Sequence, residues 1–569
     1  MTGRTSGRRD RGARLVAAGV IAVLSFALAA CGGIPTSGGV QAGDPFTDEP
    51  TGDFIFNPLG PAKDADQRAI LEGFVAAFTG PQGDYDVARK FLSSDFKKEW
   101  DPRQSVFIRT GSPTISTVDS KTMDYTFTTS AQLDEFGAYS SASLATQTLQ
   151  FQFVKEKDQW RISQAPPGIV LPLSTFLTIF SKHALYFYDL SLRYLVPDER
   201  WFPGGTTATR IVSALLAGPP EWLKGAVVSQ FPDGSQLTPG TTVSIDSTVA
   251  QVDLTTEAAG ADTRQRQLMQ LQLSESLASV PGIASVEISV ADSILAIRPL
   301  GSDSPVVQRS VDQRPLVLAE GAFGYLAAGE VSQISGVSSK IVALSPLAVS
   351  TGVGVAAAAV LNADGVFLVR AGDSDPKKLD DRGGLIAPSI DDFGFVWSVQ
   401  KSSPHSIVAF DFNGDAHPVA ASLPAGARIV SLDIAQDNSR VAILLDTPAG
   451  PRLIVSAIIR DASHGYIPTS IGPSVLDAHI DSDDAIDAAW IDQSSIATLT
   501  ASDGVALVTA FEVGGQQTSL GRPSPSVAIV GGNGKTGLRV LSADKHLQSP
   551  RGSGWQSATP KVDLIATQR

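Results

Sequence analysis

The spacing of apolar positions changes character several times along the chain. Leu15 to Ala30 is an unbroken run of 16 residues without a charge. From Asp64 the period becomes helical: Ile70, Leu71, Phe74, Val75 and Phe78 share one face, the spacing of an amphipathic helix, and Gly80-Pro81 ends it. A second helix is expected from Asp84, with Val87, Phe91 and Leu92 turned inward. The period then shortens to two. Met123/Tyr125/Phe127, Leu149/Phe151/Phe153 and Trp160/Ile162 alternate with polar residues, as in strands with one buried face. Pro166-Pro167-Gly168 closes this stretch.

Leu171 to Phe180 is a short apolar bridge, read as the first strand or packing arm of a second unit. In that unit Leu185 to Asp189 is a strand. Thr206 or Thr207 is expected to cap a helix through Ile211, Leu215 and Leu216, which Gly218 and Pro219-Pro220 terminate. Val249 to Leu254 is a strand. Asp262 with Gln265 three residues later has the form of a capping box, opening a helix with Leu268, Leu271 and Leu277. Val286, Ile288 and Val290 alternate in a last strand.

From Ser302 onward short strands recur, with turn signals at Asn362 to Gly365, Asp411 to Gly414 and Ala501 to Gly504. A repeated phrase pairs Leu385 to Pro388 with Gly394 to Trp397, Ile429 to Leu432 with Val441 to Leu444, and Ile486 to Trp490 with Ile496 to Leu499. The first interval fits a four-stranded propeller blade of about 40–45 residues. The second fits a blade carrying an insertion near Ser463 to Asp483. Residues 302–569 then hold roughly six diverged blades, without a Trp-Asp signature. A long β-sandwich is the competing reading.

The start of the chain adds a compartment. Arg4, Arg8, Arg9, Arg11 and Arg14 precede the apolar run. The run is short of the roughly 20 residues a membrane-spanning helix needs, and a basic head, short apolar core and small residues describe a secretory signal. Cys31 follows it and is the single cysteine of 569 residues. Leu28-Ala29-Ala30-Cys31 resembles the bacterial lipobox. That resemblance implies cleavage between Ala30 and Cys31, S-diacylglycerol on the Cys31 thiol and an acyl chain such as palmitate on its new amino group. An uncleaved signal anchor with an incidental cysteine is the bland alternative. One cysteine makes no internal disulfide. Loss of residues 1–30 removes five arginines and one aspartate and takes the formal charge from −14 to −18. So acidic a chain argues against nucleic acid as a partner and against a polybasic grip on lipid, leaving the lipid anchor as the expected membrane attachment. Gly32 to Pro61, rich in Gly, Pro, Asp and Thr, reads as a flexible linker.

Chemistry is harder to find. Gly534-Lys535-Thr536 lacks the first glycine of a phosphate-binding loop, because position 529 is Ile. No Gly-x-Ser-x-Gly elbow occurs. The six histidines are scattered without zinc spacing, and Asp481 to Asp484 lacks the ligand pattern of a calcium loop. No catalytic or metal residue is assigned, no cofactor is expected, and the expectation is a protein that is not an enzyme.

The segments resemble known domains. Helices followed by antiparallel strands over 62–168 look like a nuclear-transport-factor-2-like α+β cone. Leu185-Tyr186-Phe187, Leu215 to Pro220, Phe231 to Gly234, Val252 to Leu254 and Val280 to Val286 resemble a GerMN domain over 171–300. The fold class is thus multidomain: a signal peptide (1–30), a linker (31–61), two small α+β domains, and an all-β propeller (302–569). This order, with Leu28 to Ser37 and Leu215 to Pro220, resembles the actinobacterial LpqB lipoprotein family. The resemblance implies localisation at the cell membrane, lipid-anchored on its extracytoplasmic face. It also implies accessory modulation of an MtrA–MtrB type two-component system through the extracytoplasmic domain of its sensor histidine kinase, linked to cell division and envelope homeostasis. The competing reading is an envelope polymer-binding protein or hydrolase acting through the propeller mouth. A buried carboxylate pair in the channel would favour it.

Overall fold

A computed structural model describes residues 57–552 and 554–569. Ala30, Cys31, the signal peptide and nearly all of the linker lie outside the described residues. The stripe around Ile70 forms a helix over Gln67–Ala76, capped by Asp66, whose carboxylate accepts from the Ala69 N–H. The second helix, Gln82–Arg89, begins with a left-handed turn at Gly83, Asp84 and Tyr85. It therefore turns Tyr85 and Ala88 inward, while Val87 is only half-buried. The alternating segments form Thr122–Leu133, Tyr139–Glu156 and Gln159–Gln164. The periodicity missed a further strand, Val106–Thr117, whose outer half faces solvent on both sides and carries no clean alternation.

Rings from these strands meet the first helix. Phe74 lies 4.8 Å from Phe78 and 5.1 Å from Trp100, ring centre to ring centre, and Phe127, Phe151 and Phe153 are buried in the same core. The aromatic faces are core, and Phe74→Ala would cost about 3–5 kcal/mol.

Leu171 to Phe180 is placed differently from the sequence expectation. Ile169–Pro172 pairs in parallel with Val106 to Arg109 as the fifth strand of the first sheet. Leu173–Ile179 is a helix whose Phe176 and Ile179 are buried in the first core. Residue 168 is therefore one strand and one helix too early as a boundary. The apolar run is continuous because strand and helix bury their faces in one core, a case that periodicity cannot separate from a bridge.

The second unit follows its expected order: strands Phe180–Asp189 and Leu195–Pro203, helix Thr207–Leu216, strand Val249–Leu254, helix Thr263–Leu277 and strand Ser285–Val290. Val249–Leu254 and Ser285–Val290 pair in parallel across the long helix, a βαβ unit. Asp262 caps that helix, accepting from Gln265 N–H at 2.8 Å. The box is half-formed, because the Gln265 side chain donates to the Gln230 carbonyl instead. Thr206 occupies the cap of Thr207–Leu216 without a side-chain bond, and the Thr207 hydroxyl donates back to Pro203.

The described residues beyond 315 form six four-stranded sheets. The repeated phrases form the two innermost strands of blades four and five; in blade three Gly394 to Trp397 enters the second strand, Phe395–Gln400, while Leu385 to Pro388 lies just ahead of the innermost strand, Ser389–Ile390, and all three turn signals join neighbouring strands. Leu564–Ala566 pairs with Leu316–Ala319 as the innermost strand of blade one. The ring is thus closed by hydrogen bonds between its first and last strands, leaving only the outermost strand of each blade as an edge. One expectation is corrected: the first propeller strand begins at Leu316, not at 302, and Val306 instead pairs beside Tyr194 on the second unit. The expected insertion is the extra length of blade four. It lengthens the outer hairpin, Gly450–Asp461 with Ile467–His479, which reaches the second unit, where Ala457 and Ile459 join its core.

Candidate functional site

The propeller has two ends, built from opposite ends of its innermost strands. One end carries the turns that leave those strands. In blades three, four and five each turn opens with an aspartate: Asp391, Asp437 and Asp492 accept from the N–H two residues on, at 3.0, 2.8 and 3.0 Å. Such an Asx turn fixes the loop locally. Asp391 also pairs with Arg460 at 2.6 Å, both fully buried, and accepts from Trp397 Nε1. Asp437 pairs with Arg440, which lies over Trp490. The sequence reading missed these aspartates. The available signal was an aspartate between the two halves of each repeated phrase.

The second unit sits on these turns. Tyr194 donates to Asp392 at 2.9 Å, and Arg309 pairs with the same carboxylate. Trp201 Nε1 donates to Gly514 O at 2.7 Å, and Lys182 pairs with Glu512 at 2.8 Å. Behind them Asp198 pairs with Arg200 at 2.6 Å, and Arg200 donates to Phe136 O of the first domain. Gly137 takes φ +79° here, and a Cβ on it would stand 2.5 Å from the Trp201 carbonyl, so this junction requires glycine. Burial raises the Glu199 and Asp198 carboxyls above their usual range, against the pull of Lys182 and Arg200 respectively. Gln436 of blade four also donates to Gly532 O of blade six. Turns of non-adjacent blades thus meet across this end of the channel.

The other end opens into a cavity of about 270 Å³ lined by Leu347, Ala387, Ser431, Asp433, Asp487 and Val527, among others. Asp433 accepts from the Trp490 N–H of the next blade and pairs with the buried guanidinium of Arg569, which also donates to Ser389 Oγ. Asp487 accepts from Ile529 N–H at 3.0 Å and Ala488 N–H at 2.8 Å. Burial, with a smaller contribution from Asp433, pushes the Asp487 carboxyl up to about 6. The two carboxylates tie blade four to five and five to six, and both line the cavity.

The motifs singled out from sequence are local. Lys535–Gly537 is a single turn within blade six. Asp483 accepts from the Ser502 hydroxyl and the Asp503 N–H, closing a hairpin. Buried His183 bonds Ser279 at 2.8 Å, and burial lowers its pKa to about 4. Among the described residues no helix is long and apolar enough to cross a membrane.

The class this architecture defines is an N-terminal α+β domain and a βαβ domain docked on a six-bladed propeller. Three family models match it in order: the N-terminal domain of lipoprotein LpqB over residues 60–177, a sporulation and spore germination domain over 184–295, and the lipoprotein LpqB beta-propeller domain over 321–564. Lipoprotein LpqB of Cutibacterium acnes is 24% identical, covering 96% of this chain and 98% of its own. That of Streptomyces coelicolor is also 24% identical, covering 98% of each. The first GerMN domain of the Bacillus subtilis sporulation protein GerM is 19% identical, covering 22% of this chain and 96% of its own, with a TM-score of 0.18. The chain belongs to the LpqB lipoprotein family.

Proposed function

We propose that this protein is a lipid-anchored accessory factor on the extracytoplasmic face of the cell membrane, tuning a sensor histidine kinase of the MtrA–MtrB type in cell division and envelope homeostasis. The observation that carries the reading is the match to relatives named lipoproteins along almost the whole chain, Cys31 included in its span. The sequence at Leu28 to Cys31 supports the anchor, and the acidic composition supports lipid over charge as the means of attachment. Crosslinking in intact membranes should recover a sensor kinase. Recovery of none, with kinase output unchanged in a deletion strain, would overturn the reading. Cys31→Ala should release the protein from membranes after a high-salt wash.

A second reading is binding or hydrolysis of an envelope polymer at the propeller mouth. The observation favouring it is the pair Asp433 and Asp487 on the wall of the open cavity. Against hydrolysis stands the engagement of both carboxylates by groups of the protein itself. Retention of purified envelope polymer by the full chain, abolished in Asp487→Asn, would support polymer binding over kinase contact.

A further inference from the structure

The open mouth of the channel is lined by residues at the start of several innermost strands. Val527 of blade six is the extra residue of a β-bulge there; Val430 and Ile486 are the matching bulge residues of blades four and five, and they pack against the neighbouring cores instead of lining the cavity. Leu347, Ala387 and Asp563 stand at the corresponding place in blades two, three and one, at or just ahead of the innermost strand. A bulge re-aims a side chain that regular pairing would turn into the sheet. Leu347, Ala387 and Val527 give the rim three aliphatic side chains, with Asp563 as its one acid. Leu347 is 66% and Val527 53% exposed at the edge of the open cavity, apolar groups beside a concave site that an aliphatic ligand would cover.

The charges of the cavity do not cancel. Asp563 on the rim pairs with Lys545 at 2.8 Å, and Asp433 on the wall pairs with Arg569. Asp487 receives only N–H and hydroxyl donors, and among the described residues no Lys, Arg or His stands within ion-pair distance of it. One carboxylate is left without a cation on the wall of a small cavity with an aliphatic entrance, an arrangement that gains from a positive charge brought in from outside.

We propose that the open end of the propeller channel binds a monovalent alkylammonium group, its charge beside Asp487 and its aliphatic stem against Leu347 and Val527. The cavity volume admits a short chain and no large ring system. A free amine and the side chain of a lysine on another protein share this chemistry.

The test is titration calorimetry on the detergent-solubilised full chain with n-butylammonium, with n-butanol as the uncharged control and Nα-acetyl-lysine amide as the lysine probe. Saturable binding of n-butylammonium is expected, with n-butanol at least about tenfold weaker, the loss of one charge-assisted contact. Asp487→Asn should weaken the ammonium by a similar factor and leave n-butanol unchanged. Leu347→Ala, at an exposed position, should weaken both. Val527→Lys, which places a fixed ammonium on the rim, should abolish binding even where Asp487→Asn fails to fold. Binding of the lysine probe as well assigns a protein side chain as the source, and binding of n-butylammonium alone assigns a free amine. No saturable binding, equal affinity for n-butanol, or undiminished binding in Val527→Lys would overturn the proposal.

Discussion

The two ends of the propeller differ in how completely charge is paired, since the open mouth pairs Asp433 with Arg569 and Asp563 with Lys545 but leaves one carboxylate over. Under the second unit, Asp198 has Arg200, Glu512 has Lys182, Asp392 has Arg309 and Asp391 has Arg460. At the open mouth, Asp487 has hydrogen bonds and, among the described residues, no countercharge. A buried ion pair is costly to break because it leaves one charge desolvated and unmatched. Paired charges therefore hold the docked end in register. An unmatched carboxylate instead leaves the open end with electrostatic free energy to gain from a ligand. One end is finished by the chain itself, and the other is not.

That contrast can be broken most strongly at the docked end. Arg200→Ala strands Asp198 in the junction of three domains and should lower stability by about 3–5 kcal/mol, read by denaturant unfolding of the full chain. Asp198→Ala, which strands the arginine, should cost a similar amount. If both changes fall below about 1 kcal/mol, the junction is not held by its charges.

The next effect is acidic and separates the two regions by sign. His183, in the second unit, is held below its ordinary 6.5 at about 4 by burial. The unfolded chain therefore binds this proton first, and stability falls as pH drops from about 6.5 toward 4. Asp487, in the channel, is raised from 3.8 to about 6. The folded chain binds that proton first, so its contribution rises as pH drops from about 6 toward 4 and is lost again as pH rises through 6. The two oppose each other in the native protein. His183→Gln should remove an acid penalty of about 3 kcal/mol at pH 4, and Asp487→Asn should make the acid loss steeper. Melting temperature against pH for the two variants reads both, and parallel curves would show that neither group titrates as its surroundings dictate.

Smaller effects sharpen the same comparison. Trp201→Phe deletes the bond to Gly514 O and should cost about 1–3 kcal/mol, with faster amide exchange around Glu512 to Gly515. At the mouth, Lys545→Ala removes an exposed partner of Asp563 and should cost under about 1 kcal/mol. It should also tighten n-butylammonium binding slightly by leaving a second negative charge on the rim. A loss of ammonium affinity there would contradict the charge balance drawn for the cavity.

The sequence carried much of this architecture because its signals are local. The helix stripe at Ile70 to Phe78, the strands at Val249 to Leu254 and Val286 to Val290, the Asp262 cap and the hairpin turns each follow from residues within one element. So do the repeated phrases of blades three to five. The strand Ile169–Pro172 was misplaced because its partner, Val106 to Arg109, lies some sixty residues back in the chain, and parallel pairing at that separation leaves no periodic trace. The lengthened hairpin of blade four shows in the sequence only as a wider spacing of the repeated phrase, because the domain its extra residues pack against lies far away in the chain.

The sequence by itself determined the order of domains and the strand-turn rhythm of the propeller, since each depends on neighbours in the chain. Only the tertiary structure decided which aspartates acquire countercharges. Asp433 meets Arg569 and Asp391 meets Arg460 across 136 and 69 positions of sequence, while Asp487 meets no cation among the described residues. Charge compensation depends on distance in space and on the dielectric that burial creates, and neither is written in the order of residues until the ring has closed.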